Sequence, residues 1–152
     1  MTIEQAVYER LSDLSALVAL VSTRIYQLVL RQNSVLPAVR MAVIPGMQGQ
    51  HLRGPDGLWR TRVQIDAYAK EADGIAWYSQ AAAVAAAVRG DGLGSNATGL
   101  WGWIGESGGS PAEIGVQNVE LTHSGMPEYE AGEEHRVRIR QEYVVVWREL
   151  SM

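Results

Sequence analysis

The chain has 152 residues, the length of one ordinary domain, and its 47% hydrophobic and 20% charged residues exclude an intrinsically disordered protein. The absence of cysteine excludes a disulfide scaffold, a thiolate zinc site and a cysteine nucleophile. The net charge of −4 argues against a free-standing nucleic-acid-binding domain, which is usually basic. We predict a single domain over residues 1–152.

The charge is unevenly distributed along the chain. The segment from Asp91 to Glu134 contains eight acidic residues and no Lys or Arg, so the remainder carries a net charge of +4. Such asymmetry favours association between chains but says nothing about fold. The N-terminus lacks the basic and apolar run of a signal peptide, and the longest apolar stretch is too short to cross a bilayer. We therefore expect a soluble protein that remains where it is made, with no membrane contact.

The N-terminal half predicts one helix and two strands. Apolar residues recur every three or four positions over Thr2–Val21, with Thr2 as the helix cap. A short extended or turn piece begins at Arg24. A strand over Ala38–Ile44 is predicted to end at Pro45-Gly46. A second strand, Leu58–Tyr68, follows the turn residues Pro55-Asp56-Gly57, so residues 38–68 are interpreted as a hairpin with a long loop.

The C-terminal half predicts a second helix over Glu71–Arg89, ended by Gly90, and two further strands over Val116–Thr122 and His135–Arg148. Because turns connect both strand pairs, the sheet is expected to be mainly antiparallel. The predicted fold is α+β, with a four-stranded, mainly antiparallel sheet and two helices packed on one face. The predicted order is helix-strand-strand-helix-strand-strand.

Three patterns suggest chemistry, and each has a simpler structural explanation. Gly105-Glu-Ser107-Gly-Gly109 matches the Gly-x-Ser-x-Gly nucleophile elbow, which would make Ser107 the nucleophile of a small hydrolase. That elbow needs a strand leading into a helix, however, and the sequence predicts a loop. Gly92-Leu-Gly94-Ser-Asn-Ala97 follows a helix, so it is not a dinucleotide fingerprint. The three histidines show no metal-ligand spacing, and no cofactor or metal is expected.

Charged and aromatic residues provide candidate contact sites. Five arginines are predicted on one face of two strands: Arg60, Arg62, Arg136, Arg138 and Arg140. They are consistent with a solvated face, a phosphate-binding surface or an interface with an acidic partner. The acidic segment, including Glu128, Glu130 and Glu133, favours the interface between identical subunits. Trp101 and Trp103, within a glycine-rich loop, are expected at a contact between chains.

An ordered series of short motifs resembles one protein family. The series comprises Arg24-Ile-Tyr-Gln-Leu-Val, Leu36-Pro-Ala-Val-Arg, the run from Leu52 to Ala69 (LRGPDGLWRTRVQIDAYA), an alanine-rich helix and Val146-Trp-Arg-Glu149. It is similar to the small tail-completion, or tail-terminator, proteins of long-tailed bacteriophages and to their relatives in prophages and gene transfer agents. The similarity extends over roughly Ile3 to Leu150.

This resemblance implies a non-enzymatic virion protein that forms a ring, commonly of six subunits. The ring would end the tail tube and join it to the head connector, so the partners would be the protein itself, the tail-tube protein and the connector, with DNA only passing through the pore. The loops over Met47–Asp56 and Asp91–Pro111 are the expected contacts with neighbouring rings, and the first of them includes Met47, Gln48, His51 and Arg53. The alternatives are another particle subunit, such as a head-completion adaptor or tail-tube protein, and the small serine hydrolase.

Overall fold

The structure of the chain, a computed structural model, describes residues 1–30, 34–51, 54–91, 96–109, 111–129 and 135–150. Within these ranges it contains three helices and one mixed sheet of seven strands. The prediction of a four-stranded, mainly antiparallel sheet with two helices is therefore wrong. The sequence patterns identified the long elements and missed three short strands and a break in the first helix.

The helices are, in chain order, α1 (Ile3–Asp13), α2 (Ser15–Val21) and α3 (Ser79–Arg89). The strands are β1 (Ile25–Gln27), β2 (Ala38–His51), β3 (Gly54–Lys70), β4 (Gly105–Ser107), β5 (Ile114–Ser124), β6 (Glu128–Tyr129) and β7 (Arg136–Glu149). Their spatial order is β1-β2-β3-β7-β5-β4, and β6 pairs with β7 beyond the end of β5. The sheet is mixed because β1 runs parallel to β2, whereas the other pairs are antiparallel.

The predicted N-terminal helix is two helices. Thr2 caps α1 as expected: its hydroxyl accepts from the backbone N–H of Gln5 at 3.1 Å, and the N–H of Thr2 donates to Gln5 Oε1 at 2.9 Å. The chain becomes extended at Leu14, with φ −76° and ψ 105°. Leu14 at the break, and Leu17 and Val21 on α2, are all buried in the core.

The hairpin formed by β2 and β3 is longer than predicted, so the expected loop over Met47–Asp56 is mostly strand. Pro45 and Gly46 do not end β2, because the pairing with β3 shifts register between Ile44 and Met47 and then continues. Proline is tolerated at such a bulge, where its missing N–H breaks no ladder bond. The residues that connect the two strands, 52–53, lie outside the described part.

The helix predicted over Glu71–Arg89 begins only at Ser79. The backbone N–H of Glu71 donates to the carbonyl of His135, and the N–H of Ala72 donates to that of Trp77, which holds this segment in a turn. Gly74 adopts a φ of +88°, which a helix cannot contain. Tertiary contacts therefore override the helix-favouring composition of residues 71–78.

The sheet has one apolar face and one polar face. Side chains alternate along β7 between buried and half-buried positions, and the buried set joins all three helices in one core. Alanine and valine residues of α3 pack on the sheet, where Gln141 of β7 donates to the carbonyl of Ala85 at 3.2 Å. The opposite surface of β2, β3 and β7, which we call the outer face, carries the arginines discussed below.

None of the helices in the described residues has the length and apolar character that a membrane span requires.

Candidate functional site

The outer face brings charged residues of three strands into one row. Arg40 of β2 is the register partner of Asp66 on β3, and Asp66 is in turn the partner of Arg140 on β7. Asp66 is fully buried, and its carboxylate accepts from Arg140 Nε at 2.8 Å and also pairs with Arg40. A buried charge must be paired and hydrogen-bonded, and two guanidinium groups satisfy this need. This row is a structural ion-pair network at the centre of the face.

A second ion pair occupies the next row. Arg138 of β7 faces Glu128 of β6, its register partner, and the two side chains form an ion pair. The hydrogen bond from Arg138 and its charge lower the pKa of Glu128, and the pKa of Arg138 is correspondingly raised. Both residues are predicted to contact another chain, and within one chain they pair with each other.

Arg136 is nearly inaccessible, at 5% exposure. Its guanidinium lies 4.7 Å from the centre of the Tyr68 ring, a cation–π contact on the outer face. An arginine that is covered in its own chain offers little surface to a partner.

Arg60 and Arg62 are the exposed arginines of the predicted set. The side chain of Arg62 is 60% exposed, and its Nη2 lies 3.7 Å from Glu142 Oε2, a long and solvated pair. Surface pairs of this kind contribute little to stability, so Arg62 can change partners at small cost. These two positions on β3 are the best placed of the five arginines to meet another chain.

The two loop tryptophans have different environments. Trp103 is only 6% exposed, and the guanidinium of Arg10 lies 5.2 Å from its ring centre. Arg10 also donates to the carbonyls of Ala97 and Gly99, at 2.7 and 2.9 Å, so this loop is tied to α1. Trp101 is 43% exposed. Of the two, only Trp101 presents a large apolar surface to a second molecule.

Several predicted contact residues lie wholly or partly outside the part of the chain that the structure describes. Met47, Gln48 and His51 lie on the backbone of β2, within the hairpin and not in a loop, and their side chains fall outside the described part. Arg53, Glu130 and Glu133 lie outside the described residues altogether.

Ser107 lacks the surroundings of a nucleophile elbow. It is the last residue of β4, a short strand at the edge of the sheet, and residues 108–109 and 111–113 beyond it are not helical. Its hydroxyl lies 3.1 Å from Glu9 Oε2 beside an open, polar cavity of about 450 Å³. No histidine lines that cavity within the described residues. Within the described residues, Ser107 therefore has neither the strand-to-helix turn nor the neighbouring histidine of that motif.

A second cavity, of about 400 Å³, opens between the start of α1 and the end of the sheet. Trp59 and Trp147 lie in it, 6.0 Å apart between ring centres and nearly parallel, and Trp147 donates from Nε1 to Thr61 Oγ1 at 2.9 Å. The sequence predicts both tryptophans on apolar faces, and Trp147 is indeed buried in the core while Trp59 packs against it. No three metal-ligating side chains come together among the residues that the structure describes.

Comparison with known proteins identifies the family. The chain matches the model of the family described as Tail completion protein gp17 over residues 5–103, which is more than half of its length. The chain therefore belongs to this family, and the resemblance drawn from its sequence motifs is confirmed. It is a bacteriophage-type structural protein of tail completion.

One solved structure shows a similar fold. A chain from the virion of a native gene transfer agent particle aligns with a TM-score of 0.54 at 18% identity, over 93% of this chain and 91% of that chain. A second solved chain aligns with a TM-score of 0.48 at 22% identity, over 94% and 92% of the two chains. The search of curated proteins found no match.

Proposed function

We propose that the chain is one subunit of a ring that ends the tail tube and joins the tail to the head connector. The observation that carries this proposal is the family match over residues 5–103, because tail completion is the role that the family description gives. The similarity in fold to a chain of a gene transfer agent virion supports a place within such a particle. The subunit would lie at the head-proximal end of the tail.

The partners proposed are further copies of the chain, in a ring of six, with the tail-tube protein on one side and the connector on the other. DNA would pass through the pore without being read. Contact between copies would use the exposed arginines Arg60 and Arg62, facing acidic residues of the neighbour between Asp91 and Glu134. Complementary charge of this kind fixes orientation and suppresses incorrect pairing more than it adds affinity.

The end of the β2–β3 hairpin is the candidate for contact with a neighbouring ring. The pairing of β3 with β7 begins at Trp59, so the part of β3 from Gly54 to Leu58 extends beyond its β7 neighbour. A projecting two-stranded arm can reach another ring while the sheet keeps its base in place. Of the predicted contact residues, His51 pairs with Gly54 in this arm, whereas Met47 and Gln48 pair with Arg60 and Trp59 at its base. Arg53 lies outside the described residues and stays a proposed contact.

We propose no covalent chemistry for the chain. The geometry at Ser107, with Glu9 as its partner and no histidine in the described cavity lining, supports a structural role. Replacing Ser107 with Ala should therefore leave particle assembly unchanged.

The experiment that tests the role is deletion of the gene followed by electron microscopy of the particles that form. A ring that ends and joins the tail predicts filled heads and separate tails of irregular length, with joining restored when purified protein is added. Absence of any tail would instead indicate a tail-tube subunit. Normal tails beside heads that lose their DNA would indicate a head-completion adaptor. Normally joined, infectious particles would contradict every particle role.

A further inference from the structure

The sheet has an open edge on each side within the described residues, because its outermost strands, β1 and β4, are short. β1 pairs with residues 39–41 of β2 only, and β4 pairs with residues 114–116 of β5 only. Past these residues, β2 and β5 are the outermost strands on the two sides of the sheet. We call residues 42–44 of β2 the β2 edge and residues 120–122 of β5 the β5 edge.

The backbone at the centre of the β2 edge points away from the sheet. Toward the β1 side, the N–H of Val39 donates to the carbonyl of Arg24 at 3.0 Å, and the carbonyl of Met41 accepts from the N–H of Leu28 at 2.8 Å. Since backbone groups of a strand point to alternate sides from one residue to the next, those of Val43 face the same side as those of Met41. β1 does not extend to this level.

The β5 edge presents its backbone in the same manner. The carbonyl of Val119 accepts from the N–H of Gly102 at 2.8 Å, on the side that faces away from β7. Residues 119–121 pair with β7 without a register shift, so the backbone groups of Leu121 also point away from the sheet. Neither Val43 nor Leu121 has a backbone partner on this side among the described residues. The chemistry that satisfies such an edge is another extended strand.

The side chains of the two edges are complementary. Val43 and Leu121 are half-buried hydrophobic residues that pack against the core from opposite sides of the sheet. On the outer face, Ile44 is 42% exposed beside its register partner Arg62, whose ion pair within its own chain is long and solvated. Glu120, on the outer face of β5, is exposed and has no ion-pair partner within the described part of the chain. One edge therefore carries a free apolar group and a cation, and the other carries an anion.

We propose that the β2 edge of one copy of the chain pairs with the β5 edge of a second copy, so that neighbouring sheets join edge to edge. Within one copy β2 and β5 run antiparallel, and a rotation about a ring axis along the strands preserves their directions, so the new pair is also antiparallel. Val43 then exchanges two hydrogen bonds with Leu121 of the second copy, and Ile44 lies opposite its Glu120. Arg62 reaches that Glu120 across Ile44.

The contact has the symmetry that a ring needs. Each copy uses one edge for one neighbour and the other edge for the next, which makes the contact heterologous, and a heterologous contact that closes produces a ring. The side chains of Val43 and Leu121 come together on the core-facing side, which removes apolar surface of both from water. The proposal rests on the ring of the proposed function and names the contact that would hold it.

The first test uses an engineered disulfide in a chain that has no cysteine of its own. The variant carries Ile44→Cys and Glu120→Cys. Facing residues of a non-hydrogen-bonded antiparallel pair have Cα atoms about 4.5 Å apart, which a disulfide spans. Within one copy the two positions are three strand spacings apart, about 14 Å, so only different copies can be joined. On oxidation we expect a ladder of covalent oligomers that ends at the ring and disappears on reduction.

Two variants control for register and for chance encounter. Ile44→Cys with Asn118→Cys keeps both cysteines on the outer face but moves one of them by two residues along β5. Ile44→Cys alone has no facing cysteine. Neither should give more than chance dimers. Circular dichroism and thermal unfolding of the reduced proteins establish that each variant is folded.

The second test exchanges the charges across the contact. Arg62→Glu and Glu120→Arg should each raise the dissociation constant between copies by roughly three- to thirtyfold, measured by analytical ultracentrifugation, because attraction is replaced by repulsion. A mixture of the two variants should assemble nearly as well as the wild type. In the mixture a copy of one variant meets the other variant at both edges, and both contacts then have opposite charges.

The outcomes separate this contact from the ring itself. Rings of the double-cysteine variant that stay unlinked under oxidation would overturn the edge contact and leave the ring standing. A product that stops at a doubly linked dimer would also overturn it, because a two-fold pair does not continue into a ring. A mixture of the charge variants that assembles no better than either alone would overturn the proposed register. A wild-type chain that stays monomeric at every concentration tested would contradict the ring and, with it, this contact.

Discussion

Arg140 donates two hydrogen bonds to Asp66 across the neighbouring strands β3 and β7, from Nε to Oδ1 at 2.8 Å and from Nη2 to Oδ2 at 3.4 Å. The carboxylate is buried, whereas the Arg140 side chain is one-third exposed. The pair therefore joins the outer face to the interior of the sheet. With Arg40 on the other side, Asp66 holds three strands together at one level.

Asp66→Asn should lower the free energy of unfolding by about 1.5–3 kcal/mol, the range for hydrogen bonds to charged groups. The neutral amide leaves Arg40 and Arg140 close together without the anion between them. The measurement is urea-induced unfolding followed by tryptophan fluorescence. Glu120→Gln is the control, since it removes one acidic charge from an exposed position on β5. Equal, small losses in both variants would mean that the network adds nothing to stability.

The same network shows what sequence patterns can and cannot predict. Alternation along β3 and β7 predicted that Asp66 and Arg140 point away from the apolar side. Alternation does not provide register between strands, so the pairing with Arg40 and the complete burial of Asp66 could not be inferred. Likewise, the sequence contains no signal that Glu128, on the short strand β6, pairs with Arg138 within one chain.

Local sequence signals gave wrong predictions where contacts with residues distant in the chain determine the structure. Pro45 was predicted to end β2, but a bulge accommodates it, and a bulge depends on the partner strand. Residues 71–78 were predicted to be helical, but Glu71 is bonded to His135, far along the chain. The family resemblance was predictable because it depends on the order of motifs, which the sequence contains directly.

Gly99 packs so closely against the backbone at the end of α3 that position 99 has no room for a side chain. A Cβ added to Gly99 would overlap the carbonyl of Arg89 and the backbone of Gly90, and backbone cannot move aside as a side chain can. Gly99→Ala should therefore lower the free energy of unfolding by about 1–3 kcal/mol, the typical cost of overpacking. Thermal unfolding measures the loss.

Gly115→Ala is the matched control for that substitution. Its added Cβ would lie 3.2 Å from a terminal methyl carbon of Leu150, which can rotate away. We expect a clearly smaller loss than for Gly99→Ala. If Gly99→Ala unfolds at the same temperature as the wild type, then α3 and the 97–101 segment do not pack as closely as described.

Acid should weaken the contact that fixes the segment between β3 and α3. Glu71 accepts from the Tyr129 hydroxyl at 2.6 Å and pairs with His135, and these bonds lower its pKa, Tyr129 contributing most. A carboxyl whose pKa is lower in the folded state stabilises the protein above its unfolded pKa of about 4.5, and this stabilisation is lost as the pH falls through the folded pKa.

The measurement is the free energy of unfolding from pH 7 to pH 3 for the wild type, Glu71→Gln and Tyr129→Phe. Glu71→Gln should flatten the acid-dependent fall, because the titrating group is gone. Tyr129→Phe should reduce the part of the fall that Glu71 causes, since its largest source of pKa lowering is removed. An unchanged pH profile in both variants would show that Glu71 makes no such contribution.

Assembly should depend on salt and on the charge at Arg62. Exposed pairs are screened, and the screening length falls to about 3 Å at 1 M salt, so association that uses Arg62 should weaken as salt increases. Arg62→Glu should impair ring formation more than the neutral Arg62→Gln, because reversal adds repulsion to the loss of attraction. Light scattering at low and high salt measures both effects. Equal assembly of the two variants at both salt concentrations would assign Arg62 to a solvated surface.

The most direct test of the account is to locate the chain in the intact particle by cryo-electron microscopy. The account predicts a closed ring of copies at the head-proximal end of the tail, between the tail tube and the connector. Density for the chain at any other position, or copies that make no ring there, would contradict it.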